Sequence, residues 1–215
     1  MGRMATQRIS FDPTTICFDV GVNILQGSVD SAAWAISYVL SMYNSKSEEF
    51  VLHAENSDID MQIENIKKIV SKACYLDPIC QLYSKTETVE KIVEKALKKQ
   101  NSDISSKEIC ELFHIYEGRF QRPLNAVGNE LFRCMAAIGY ANGRDVFCFP
   151  WISKKLVTYY IRNILDVLEI LCNLNKIVLF PTDFPFTDAE NSFPKKIYSF
   201  DENRYFLAYD FLRKW

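Results

Sequence analysis

The chain is 215 residues long, enough for one domain with a sizeable core or for two small ones. Apolar residues make up 48% and charged residues 24%, a globular balance that excludes a disordered or collagen-like chain. Lys+Arg 25 against Asp+Glu 27 leaves a net charge of −2, so no global basic field invites nucleic acid or an anionic membrane. Only 7 glycines are present, few for a protein built on glycine-rich phosphate loops.

Cys17, Cys74, Cys80, Cys110, Cys134, Cys148 and Cys172 are odd in number, form no C-x-x-C, and sit mostly in apolar runs such as Phe147-Cys148-Phe149. They read as small buried thiols in a reducing compartment. With only His53 and His114 beside them, no zinc site is expected. No apolar stretch approaches the roughly 18 residues of a membrane span, and the start MGRMATQRISFD has no apolar signal core. The chain is therefore expected to be neither secreted nor membrane-spanning.

In chain order, Ile16–Leu25 (ICFDVGVNIL) mixes β-branched and apolar residues and reads as a buried strand ending near Gly27. After GSVDS, the run AAWAISYVLSMY carries Ala33, Ile36, Tyr38, Val39 and Leu40 and reads as a mostly apolar helix. Strand, tight loop and buried helix is the geometry of a phosphate-binding loop. Residues 44–58 suggest a loop or an edge strand, and 60–73 place Ile63, Ile66 and Val70 at helical spacing. Tyr83–Lys99 predicts a helix capped by Thr86 or Thr88, with Val89, Ile92, Val93, Ala96 and Leu97 on one face. Ser105 and Glu108 fit a capping box for a helix carrying Ile109, Leu112, Phe113 and Tyr116.

A further helix is expected from Asn129 to about Ala141, closed by Asn142-Gly143. Asp145–Phe149 is an apolar strand stopped by Pro150. The helix over Lys155–Leu174 places Leu156, Tyr160, Ile161, Ile164, Leu165, Leu168 and Leu171 inward, and Ile177–Phe180 is the next buried strand. Strand, helix, strand predicts a crossover in a parallel sheet. Lys196–Phe200 and Arg204–Tyr209 suggest a terminal hairpin.

From about Ile16 to Tyr209 this order resembles an ABC-transporter ATPase domain. In that family a P-loop G-x-x-G-x-G-K-S-T follows the first long strand. Laid on this chain without a gap, its first glycine is Gly27, the others become Asp30 and Ala32, the lysine Ala33, and the hydroxyl pair Trp34 and Ala35. With Arg133 as anchor, the LSGGQ signature falls on Ala126-Val127-Gly128-Asn129-Glu130. The Asp-Glu pair after the apolar strand falls on Pro150-Trp151, and the later histidine, behind Thr182, on Asp183. The glutamine loop lies near Tyr75-Leu76-Asp77-Pro78, with Pro78 at the glutamine.

Each departure removes a piece of chemistry. Ala33 brings no cation to the β- and γ-phosphates. Trp34 and Pro150 have no side-chain oxygen for Mg²⁺. Trp151 cannot polarise an attacking water, and Asp183 would repel a γ-phosphate. Trp34 and Trp151 either plug the vacated pocket with apolar area or serve as core filler. The Gly128-Asn129-Glu130 turn either lends its amides to a partner's nucleotide or is a purely structural loop.

The resemblance implies an α/β fold: a P-loop NTPase-like mixed sheet with a helical insert, one domain over 1–215 with a helical subdomain at about 79–140. It implies a pseudo-ATPase without cofactor or metal, cytoplasmic and peripheral to the membrane through a permease. Its partners would be an active ABC ATPase subunit, the permease, or a second copy as a homodimer, in a transport and by analogy an export complex. Exposed aromatics between the insert and the sheet would receive the permease. The competing reading is a soluble adaptor that reuses the fold. An unrelated enzyme would have to use Asp183, Asp145 or Glu130 as an acid, and no base or metal cluster pairs with them in the sequence.

Overall fold

A computed structural model describes residues 8–10, 18, 20–28, 37, 51–53, 72–77, 86–186 and 195–199. Two sheets are present among them. Strands β1 (Arg8–Ser10) and β3 (Val51–His53) pair in parallel. The main sheet contains β2 (Gly21–Gln26), β4 (Ala73–Tyr75), β5 (Val146–Cys148), β6 (Ile177–Thr182) and β7 (Lys195–Ser199). Its order is β4-β5-β6-β2-β7 and every pairing is parallel. Near-continuous apolar runs such as Val146–Cys148 suit this setting, because strands of a parallel sheet are covered on both faces.

Between β4 and β5 the described residues are helical: α1 (Val89–Lys99), α2 (Ser106–Leu112), the single turn α3 (Glu117–Phe120), two 3-10 turns at Leu124–Ala126 and Gly128–Glu130, and α4 (Leu131–Ala141). The Thr88 hydroxyl accepts from the Lys91 N–H and caps α1, whose predicted inward face is buried in full. Ser105 and Glu108 form the expected capping box on α2. Asn142 closes α4, and Gly143 follows at φ +68°, where a side chain would be strained. The helix α5 (Lys154–Asn173) joins β5 to its neighbour β6, the predicted parallel crossover.

Sheet and helices share one apolar core, from Val22 and Ile24 through Val93, Ile109 and Met135 to Leu168 and Phe180. The aromatic content finds its use there. Phe132 of α4 meets Phe149 at 5.5 Å, Phe149 meets Phe180 of β6 at 5.1 Å, and Phe180 meets Phe186 at 5.7 Å. Arg133 of α4 is ion-paired with Asp166 of α5 and donates to the His114 carbonyl, tying the helical region to the crossover helix.

Five expectations are corrected or displaced. The first buried strand starts at Gly21, not Ile16, since Phe18 is outside regular structure and Val20 is 58% exposed. Gly21 at φ +106° makes the entry. The helix expected over 60–73 does not reach Ala73, which opens β4; residues 60–71 lie outside the described ones. Helix α2 ends at Leu112, because His114 turns to φ +50°, and Tyr116 is 70% exposed instead of inward. Leu156 is 49% exposed, for the buried face of α5 is Val157, Ile164, Val167, Leu168 and Leu171. The tail strand Lys195–Ser199 pairs in parallel with β2, while Arg204–Tyr209 lies outside the described residues.

Candidate functional site

Parallel register brings the C-terminal ends of β5, β6 and β2 side by side: Gln26 is level with Thr182, and Cys148 with Leu179. Beyond β5 the chain keeps close to β6. The Phe149 N–H donates to the Leu179 carbonyl at 2.9 Å and the Ile152 N–H to the Pro181 carbonyl at 3.1 Å. Trp151 is thereby delivered to the loop that follows β2. Its indole Nε1–H donates to the Gly27 carbonyl at 3.1 Å, a bond across 124 residues. The Gly27 N–H donates in turn to the Thr182 carbonyl at 3.0 Å. Gly27, Trp151 and the end of β6 are stitched into one cluster.

Thr182 is fully buried; its hydroxyl donates to the Ile152 carbonyl at 2.6 Å and accepts from the Phe184 N–H at 3.0 Å. Next to it, an Asp183 oxygen accepts from the Lys154 N–H, in the first turn of α5. The carboxylate occupies the positive end of that helix, beside the Ser153 cap, and so serves the fold. Ser37, helical and fully buried, donates from its hydroxyl to the Phe149 carbonyl at 2.7 Å. Sequence reasoning passed over Ser37; a lone serine in an apolar helix was the available sign.

Solved structures give this arrangement its context. The chain is similar to a putative ABC transporter ATP-binding protein from Pyrococcus furiosus at 12% identity, over 90% of each chain, with a TM-score of 0.55. It is similar to CbiO1 from Clostridium perfringens, part of the ABC transporter complex CbiONQ, at 14% identity over 88% of this chain and 76% of that one, with a TM-score of 0.54. A dimeric ATP-binding cassette in a post-hydrolysis state with ADP and Pi shares 13% identity over 88% and 84%, at a TM-score of 0.53. The chain has the ABC ATPase cassette fold. No family model matches the sequence, and no curated protein matches it by sequence.

In this cassette fold the stations expected from the sequence fall as follows. Gly27, Pro150, Trp151 and Asp183 lie at the ends of β2, β5 and β6. Asp30, Ala32, Ala33, Trp34, Ala35 and Pro78 lie outside the described residues. Leu76, ahead of Pro78, is buried, and its N–H donates to the Cys148 carbonyl at 2.8 Å, so β4 leads its loop to the same sheet end. Among the described residues there, Pro150 has no side-chain oxygen for a magnesium ion, and an oxygen of the Asp183 carboxylate accepts from the Lys154 amide.

The segment expected at the signature, Ala126–Glu130, is exposed at Ala126, Gly128 and Asn129, and Gly128 has φ +65°. Its bonds run to helices. The Asn163 side chain of α5 donates to the Asn129 carbonyl at 3.3 Å, and the Glu130 carboxylate accepts from the Tyr116 N–H at 3.1 Å. The remaining candidate acid, Asp145, sits at the opposite end of the sheet. It is bonded to Lys176 at 2.8 Å and Lys72 at 3.6 Å, and the Lys176 hydrogen bond holds its carboxyl below the usual range. All three acids thus have structural partners. Among the described residues no group of His, Cys, Asp and Glu could hold a metal, and no helix is long and apolar enough to cross a membrane.

Proposed function

We propose that this chain is a non-hydrolytic ABC-type cassette, a pseudo-ATPase that serves as a structural and regulatory subunit of a transport complex. It sits at the cytoplasmic side of a membrane permease, paired with an active ATPase subunit, and the cargo runs outward. The observation that carries the reading is the Trp151 indole bonded to the Gly27 carbonyl at 3.1 Å. At the positions where hydrolysis needs a water-polarising glutamate and a phosphate-facing backbone, the chain bonds to itself.

The chemistry supports a mechanical role. Hydrolysis requires a lysine on the phosphates, a metal held by hydroxyl and carboxylate, and a base. The aligned residues Ala33, Trp34, Ala35, Pro150 and Trp151 have no side-chain cation, carboxylate or base to offer, and an oxygen of the one aligned carboxylate, Asp183, accepts from the Lys154 N–H. The Trp151–Gly27 and Gly27–Thr182 bonds couple the ends of β5, β2 and β6. Asp183 and Arg133 then carry the coupling into α5 and α4. A partner's motion delivered to one element would pass to the others as a unit. The solved neighbours include a part of an ABC transporter complex and a dimeric cassette, and the same kind of assembly is proposed for this chain.

A native pull-down of the tagged protein in mild detergent, read by mass spectrometry, tests this. Recovery of a permease with a P-loop-intact ATPase is the expected result. Recovery of soluble partners alone would move the chain to the adaptor class.

A further inference from the structure

We draw no further inference here: the strongest candidate, the basic surface corner at the N-terminal end of the main sheet formed by Lys72, Lys176 and the α1 residues Lys98 and Lys99, carries nothing because Asp145 is ion-paired with both Lys72 and Lys176 and the C-terminal end of α1 favours its own two cations.

Discussion

Replacing Trp151 by Phe keeps most of the ring and removes one hydrogen bond, the Nε1–H to the Gly27 carbonyl. An internal hydrogen bond contributes about 0.5–1.5 kcal/mol net. Gly27 is half-buried, so water can satisfy its carbonyl afterwards and the loss falls near about 0.7 kcal/mol. Trp151→Ala also removes the ring. A fully buried Trp→Ala change costs about 3–5 kcal/mol, and for the half-buried Trp151 about 2 kcal/mol follows. For a chain of this size 1 kcal/mol moves the melting temperature by about 2–4 °C. Urea unfolding and thermal scans should then rank wild type above Trp151→Phe above Trp151→Ala, with Tm drops of about 2 °C and 4–8 °C. A Phe variant indistinguishable from wild type would remove the hydrogen bond from the argument. An Ala variant no worse than Phe would show that the indole fills nothing.

Other sites give sharper thermodynamic tests. Asp166→Ala leaves the Arg133 guanidinium, whose side chain is 13% exposed, without its carboxylate; a cost of about 2–4 kcal/mol is expected by urea unfolding. The paired change Arg133→Met/Asp166→Leu should recover part of that loss. Gly139→Ala would put a Cβ 2.7 Å from the Cys74 sulfur and 2.9 Å from Phe147, so about 1–3 kcal/mol is lost as α4 is pushed off β4 and β5. Asp145 is held below its ordinary value by Lys176, so its stabilisation is present above the unfolded value and vanishes as pH falls through the folded one. Asp145→Asn should flatten that acid slope of the urea midpoint; an unchanged slope would show the pairing to be idle. Burial pushes the Cys110 thiol up to about 11 and Cys134 to about 12. Native-state thiol titration at neutral pH should therefore leave both unlabelled until urea is added, which labelling with mass mapping would check.

Signals confined to a few neighbouring residues were legible in the sequence. Thr88 and Ser105 cap α1 and α2 where their side chains can reach the third amide onward. The apolar runs of β5 and β6 need no knowledge of their partners. By contrast, β4 is only three residues long, and the helical spacing of Ile63, Ile66 and Val70 ahead of it masks so short a strand. The parallel pairing of β7 with β2 depends on a partner far along the chain, while the nearby charged turn argued for a hairpin. The helical spacing of Leu156 to Tyr160 points Leu156 inward, yet the buried face is set one residue over, by Val157 and Ile164. The resemblance lays its stations on Gly27, Trp151 and Asp183, and the fold sets these residues at the ends of neighbouring strands. What Trp151 and Asp183 bond to there follows from tertiary contacts over 124 and 29 residues, which no local pattern encodes.

The central claim is that this cassette fold has given up nucleotide chemistry. Calorimetric titration of the pure protein with Mg-ATP, with phosphate release followed on the same sample, tests it most directly. The account predicts no binding tighter than about 1 mM, roughly −4 kcal/mol, and no release above the buffer rate. Micromolar binding with Mg²⁺-dependent phosphate release would contradict it.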